Sequence, residues 1–137
     1  MATQSVNISL DIDWIPLNGL TDPYRFGDRK DVRVDPNWAK RNVIYRWVKR
    51  STGEVAVVGE TDRSLTERVD NYASGKPGSS AGSTNQKAYQ EQAHLSQNND
   101  CLHLEFVDRV PGFDLASKRE RRFAEGLLIA VTKPYLQ

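Results

Sequence analysis

Cysteine is almost absent from this sequence: Cys101 is the one cysteine among 137 residues. A single thiol excludes an internal disulfide and any metal site built from several thiolates, and we expect it to lie in the core of a protein kept in a reducing compartment. Long apolar runs are also absent, and the N-terminus MATQSVNISLDID lacks the basic and apolar regions of a signal peptide. We therefore expect a cytoplasmic protein with no membrane association.

An excess of charge of either sign is lacking too. The 19 lysines and arginines nearly balance the 18 aspartates and glutamates, which leaves a formal net charge of +1. This balance argues against a protein that binds nucleic acid over its whole surface, so any nucleic-acid contact must be local. His94 and His103 are too few and too far apart in sequence for a metal-binding cluster.

The first 41 residues carry few structural signals. An alternation of apolar residues predicts one strand, and the Pro-, Gly-, Asp- and Arg-rich stretch after it predicts a loop. The alternating residues are Val6, Ile8, Leu10, Ile12 and Trp14. A chain of 137 residues has room for one core. We therefore divide it into an N-terminal extension, residues 1–41, and one domain, residues 42–137.

Strand signals are clearer after residue 41. The β-rich segments VIYRWVK and VAVVG flank the turn RSTGE, and this arrangement predicts a hairpin. CLHLEFV predicts a third strand, because Leu102, Leu104 and Phe106 alternate along it. We therefore expect a small three-stranded antiparallel sheet.

Three helices are predicted around these strands. Ser64 with Glu67, and Ser117 with Glu120, have the spacing of a capping box and indicate where the first and last helices begin. Between them, NQKAYQEQAHLSQ consists of good helix formers and follows the Gly/Ser-rich loop ASGKPGSSAGST. The order of elements is then β-β-α-α-β-α, an α+β fold in which helices flank the sheet.

Two charged residues interrupt apolar helical stripes. Glu125 directly precedes the apolar segment GLLIAV, and Arg68 lies on the same helical face as Leu65, Val69 and Tyr72. A carboxylate close to buried surface needs a partner. A structural ion pair and a functional site are about equally good explanations for such charges.

At these residues the chain resembles the GIY-YIG nuclease superfamily, whose element order is also β-β-α-α-β-α. The resemblance covers residues 42–137 and rests on five short matches in the same order. These are Val43-Ile44-Tyr45 for the first motif, Val57-Val58-Gly59 for the second, Arg68 for the catalytic arginine, Tyr72 for the His-or-Tyr position, and Glu125 with the ending Lys133-Pro134-Tyr135-Leu136-Gln137 for the metal-binding glutamate and its helix. Val57 replaces the tyrosine of the second motif, and Gln137 replaces a terminal asparagine.

The resemblance implies a metal-dependent endonuclease, restriction-like or phage-encoded, that hydrolyses DNA phosphodiester bonds. Glu125 would hold Mg²⁺ or Mn²⁺, and Arg68 would offer its planar donor fork to the phosphate. Tyr45 would take a proton from the attacking water, since a neighbouring cation favours the phenolate. Tyr72 would orient that water or the phosphate.

DNA contacts are expected in two regions. Lys76 and Lys87 lie in and just after the Gly/Ser-rich loop. The other region is a basic first turn on the last helix. It opposes the helix dipole, which indicates either phosphate contacts or, almost equally, a solvated face. That turn contains Lys118, Arg119, Arg121 and Arg122, of which we assign Arg119 and Arg122 to the substrate. The amide of Gln137 is assigned to the substrate as well. Cutting both strands would require a homodimer or two successive encounters.

Two other functions stay open at the level of the sequence. Val57 and Gln137 suggest a catalytically inactive GIY-YIG fold that acts as a nucleic-acid or protein binding module. Alternatively, the chain is an unrelated α+β interaction domain and the motif matches are accidental. A structure in which Tyr45, Arg68 and Glu125 lie apart would favour this last alternative.

Overall fold

The predicted hairpin forms the centre of the sheet. In this computed structural model, which describes residues 1–7 and 9–137, β2 spans Val43–Lys49 and β3 spans Val55–Thr61. Gly53 has a φ of +76° in the turn between them, a conformation that glycine adopts without strain. The antiparallel register places Tyr45 opposite Gly59. This pairing determines the geometry of the candidate site.

The sheet has four strands, so the expectation of three was wrong. Strand β4, Leu102–Val107, pairs with the other side of β2, and the short strand β1, Ile15–Pro16, pairs with β4. All pairs are antiparallel and the order is β1-β4-β2-β3. Strand β3 is therefore an edge strand, and the N-terminal extension supplies the opposite edge.

The strand predicted from the alternation between Val6 and Trp14 is not formed over residues 9–14, and Ile8 lies outside the described residues. Ile12 and Trp14 pack instead against the core on the side of the last helix, and the Arg46 guanidinium lies 4.3 Å from the Trp14 ring centre. The alternation thus reflects packing of an extended segment. Regular pairing is confined to the two residues of β1, where Pro16 has no N–H to extend the ladder.

Three helices follow the predicted order. They are α1, Leu65–Ala73; α2, Ser83–Gln97; and α3, Lys118–Thr132. The Ser64 and Ser117 side chains accept hydrogen bonds from the Glu67 and Glu120 backbone N–H groups, so both predicted caps are confirmed. None of the described helices is long and apolar enough to cross a membrane.

Apolar side chains cover both faces of the sheet. Tyr45, Trp47 and Leu104 point to one face, where they pack with buried residues of α1 and α2. Ile44 and Val58 point to the other face and pack with α3. The alternation along the strands therefore places α1 and α2 on one face of the sheet and α3 on the other.

The residues before Asn42 pack into the larger of these cores. Leu17, Tyr24, Phe26 and Trp38 are buried there together with strand and helix residues. Arg33 donates to Asp70 Oδ1 on α1 at 2.7 Å. The division at residue 42 stays a prediction, but these contacts tie the segment to the sheet.

The C-terminal residues run along the free edge of β3. The Tyr135 and Leu136 N–H groups donate to the Val55 and Ala56 carbonyls at 3.1 and 3.0 Å. The Gln137 side chain then accepts from the Val58 N–H at 2.8 Å and donates to the Val58 carbonyl at 2.9 Å. The tail thus covers the edge as far as Val58, and Gly59 follows directly.

Arg121 does not belong to the exposed basic turn predicted at the start of α3. Only 2% of its side chain is accessible, and its Nε donates to Glu60 Oε2 at 2.6 Å. Its Nη1 donates to the Leu115 carbonyl at 2.9 Å and to Asn42 Oδ1 at 3.2 Å. Arg121 therefore fixes α3 to the end of β3, and its charge is not available to a phosphate.

Replacing Arg121 should destabilise the protein strongly, because Glu60 would keep a charge without its buried partner. We expect Arg121→Ala to lower the free energy of unfolding by about 3–5 kcal/mol, measured by urea denaturation. The exposed Arg119 on the same helix serves as the control, and Arg119→Ala should change this free energy by less than about 0.5 kcal/mol. Equal losses in the two variants would contradict this account of Arg121.

Candidate functional site

Tyr45, Arg68 and Tyr72 meet on the face of the sheet covered by α1. The Tyr45 hydroxyl accepts a hydrogen bond from Arg68 Nε at 2.8 Å and lies 3.0 Å from the Tyr72 hydroxyl. The Arg68 guanidinium also lies 4.7 Å from the centre of the Tyr72 ring. Arg68 and Tyr72 are one helical turn apart on α1, which puts both within reach of Tyr45 on β2.

Gly59 makes room for this arrangement. A Cβ atom at position 59 would overlap the hydroxyl and ring of Tyr45, its antiparallel partner on β2. Tyr45 can therefore lie across the backbone of β3 and reach α1. Gly59 thus has a steric function, because it lets the Tyr45 side chain pass close to the backbone of β3.

Glu125 reaches the same end of β3 from the other side of the sheet. It lies one turn after the buried Arg121 on α3 and is half-buried. Burial and the negative charge of Glu60 raise the pKa of the Glu125 carboxyl, whereas a hydrogen bond from the Glu60 backbone and the charges of Arg122 and Arg68 lower it by less. Arg68 has the smallest of these effects on the pKa of Glu125.

The two tyrosines are neutral in this arrangement. Burial raises the pKa of Tyr45 well above its usual value, and Arg68 lowers it by a smaller amount. Burial likewise raises the pKa of Tyr72 in spite of Arg68. Arg68 does favour the Tyr45 phenolate, as expected from the sequence, but the loss of hydration and the neighbouring Tyr72 outweigh its effect, so the net shift of the pKa is upward.

The residues assigned to DNA contacts lie in different surroundings. Arg122 is exposed, and its Nε lies 3.6 Å from Glu60 Oε1. Arg119, Lys76 and Lys87 are exposed on α3, in the loop after α1 and on α2. Both polar groups of the Gln137 amide bond to the Val58 backbone, so in this structure they hold the tail to β3.

Glu125 provides a hard oxygen ligand of the type that Mg²⁺ prefers. A cation would also offset the repulsion between Glu60 and Glu125, which contributes to the raised pKa of Glu125. Among the described residues, no group of three or more His, Cys, Asp or Glu could hold a metal ion. An ion held by Glu125 would therefore have to take most of its ligands from water.

No family model, no curated protein and no solved structure matches the chain.

Two polar residues of the site were missed at the level of the sequence. Asn85, in the first turn of α2, accepts from Arg68 Nη2 at 3.3 Å, and Glu60 connects Arg121 to the neighbourhood of Glu125. Glu60 directly follows Gly59 and Asn85 directly follows the Gly/Ser-rich loop. Their positions next to Gly59 and next to this loop were the signals in the sequence that could have indicated a place in the site.

The raised pKa of Glu125 predicts a pH-dependent effect of Glu125→Gln. A carboxyl whose pKa is higher in the folded than in the unfolded protein binds more protons when folded, so its contribution to stability is present below the unfolded pKa and is lost as pH rises through the folded pKa. We expect Glu125→Gln to melt a few degrees higher than the wild-type chain near pH 7.5. The difference should vanish near pH 4, and a pH-independent difference would contradict the assignment.

The contact between Gly59 and Tyr45 predicts that Gly59→Ala is poorly tolerated. The added methyl group must displace a buried ring, so we expect a loss of about 1–3 kcal/mol in the free energy of unfolding. Gly126→Ala is the matched control, because a Cβ there meets no atom within 4 Å and alanine is the better helix former. Urea denaturation should show no loss for the control, and an equally harmless Gly59→Ala would exclude the steric role.

Proposed function

We propose that this chain is a metal-dependent endonuclease of the GIY-YIG type that hydrolyses DNA phosphodiester bonds. One observation carries the proposal: Arg68 donates to the Tyr45 hydroxyl at 2.8 Å, and that hydroxyl lies 3.0 Å from the Tyr72 hydroxyl, at the end of the sheet where Arg68 also lowers the pKa of Glu125. Tyr45 and Tyr72 lie directly against Arg68. This is the set of residues that the resemblance assigns to catalysis.

Arg68 would bind the phosphate and stabilise the charge that develops during cleavage. Its guanidinium is planar, cannot be deprotonated at neutral pH and offers parallel donors to two oxygens. Tyr45 and Tyr72 hold it against the sheet. Removal of one such donor from a preorganised site typically costs about a hundredfold to a thousandfold in rate.

Glu125 would hold a divalent cation, Mg²⁺ or Mn²⁺, which supplies charge neutralisation at the phosphate and lowers the pKa of water. Tyr45 stays a neutral hydroxyl in this proposal, since burial keeps its pKa high. Its role is therefore to fix Arg68, and Tyr72 fixes the Tyr45 hydroxyl in turn.

DNA would approach along the exposed part of α3 that precedes Glu125. Arg122 lies beside Glu60, and Arg119 is exposed one turn earlier. Lys76 and Lys87 would contact the backbone on the side of α2. These contacts position the strand without reading its sequence. One site cuts one strand, so double-strand cleavage would use a homodimer or a second encounter.

A binding module without catalysis is the second candidate. Val57 occupies the place of the second-motif tyrosine and is fully buried in the core, and the Tyr45 and Tyr72 hydroxyls are shielded from solvent. Restoring a tyrosine at position 57 would overpack this core, so that variant is not a clean test of lost activity.

The deciding experiment is cleavage of supercoiled plasmid at low salt with Mg²⁺ or Mn²⁺. We expect nicking by the wild-type chain that Glu125→Gln and Arg68→Lys each reduce by at least about a hundredfold. Arg68→Lys keeps the charge and removes the planar fork. Glu54→Ala, which changes an exposed glutamate in the hairpin turn, is the control and should cut normally.

Circular dichroism should establish that every variant is folded. If the folded wild-type chain cuts neither plasmid, single strands, branched DNA nor RNA, the nuclease proposal fails. Retained binding of labelled DNA without cleavage would then support the binding module.

A further inference from the structure

The Asn85 side chain is buried and has two polar partners. Its Oδ1 accepts from Arg68 Nη2 at 3.3 Å, and its Nδ2 donates to the Asn71 carbonyl at 3.4 Å. A guanidinium can only donate and a carbonyl can only accept, so these partners permit one orientation of the amide. Asn85 thus links Arg68 to the backbone of the helix that carries it.

The Arg68 guanidinium is therefore held at two points. Tyr45 accepts from Nε and Asn85 accepts from Nη2. The Nη1 group forms no hydrogen bond with any residue that the structure describes. Two anchors on a planar group fix its orientation, and Nη1 keeps its donors for an oxyanion.

The neighbouring residue Gln86 provides an internal comparison. It follows Asn85 on α2, and its Nε2 donates to the Ala81 carbonyl at 2.7 Å and to the Ser79 carbonyl at 3.5 Å. Gln86 thus holds the loop before α2, whereas the Asn85 side chain holds Arg68. A change at Gln86 disturbs the same turn of the same helix and leaves both anchors of Arg68 in place.

We propose that Asn85 is a positioning residue that orients the Arg68 guanidinium so that Nη1 is available to the scissile phosphate. The inference rests on the proposed function and adds a residue that acts through Arg68. If the inference holds, removal of the Asn85 amide makes the Arg68 guanidinium more mobile, and a carboxylate at position 85 neutralises the charge of Arg68.

Two substitutions at Asn85 are expected to change different measured properties. Asn85→Ala removes an acceptor, so exchange of the Arg68 Nε–H proton with water, followed by NMR, should accelerate about tenfold or more. Asn85→Asp replaces the acceptor with a carboxylate that pairs with Arg68, so this exchange should not accelerate. The affinity of the Asn85→Asp variant for a labelled DNA duplex in EDTA should instead fall about tenfold, because the carboxylate neutralises the arginine charge. General structural damage would not accelerate proton exchange in one variant and weaken only DNA binding in the other.

The NMR signal of Arg68 is identified by its disappearance in Arg68→Lys, and Gln86→Ala is the matched control. We expect the control to keep wild-type exchange of the Arg68 proton. Wild-type exchange in Asn85→Ala, or equal acceleration in Gln86→Ala, would overturn the inference. If Asn85→Ala does not fold, the Asp variant decides: faster exchange of the Arg68 proton in Asn85→Asp than in Gln86→Ala would overturn the inference as well.

Kinetics separate this inference from the proposed function. With an active wild-type chain, Asn85→Ala should lower kcat by about tenfold to a hundredfold and change KM less, because orientation matters most when charge develops. An inactive wild-type chain contradicts the nuclease proposal. The exchange of the Arg68 proton would still establish or refute the positioning of Arg68 by Asn85.

Discussion

The candidate site depends on the close packing of the Tyr45 ring on the backbone of Gly59. The antiparallel register puts these two residues opposite each other, and the missing side chain at Gly59 lets the tyrosine cross over β3. Its hydroxyl then meets Arg68 and Tyr72 on α1. Any larger residue at position 59 would separate the sheet from the arginine.

A second constraint brings α3 to the same place. The buried pair of Arg121 and Glu60 connects the start of α3 to the end of β3, and Glu125 follows one turn later. Burial and the charge of Glu60 raise the pKa of Glu125, although the charges of Arg122 and Arg68 lower it by smaller amounts.

Much of the fold could be predicted from the sequence. The hairpin, the capping boxes at Ser64 and Ser117 and the order of elements are local signals, since they depend on residues a few positions apart. The fourth strand was not predicted, because β1 is only two residues long and exists through its pairing with β4. The alternation in the N-terminal segment misled for the same reason: period two describes a strand only where a partner is present.

For the site, the sequence by itself determined which chemical types are present: an arginine and a glutamate that interrupt apolar stretches of two helices, and tyrosines on a strand and on the first of these helices. The tertiary structure decided which charges are accessible to solvent. Arg121 and Arg122 are adjacent in sequence, yet one is buried against Glu60 and the other is exposed. It also decided that Tyr45 stays protonated and that Asn85 reaches Arg68. These properties depend on burial and on contacts between distant residues, which no local pattern encodes.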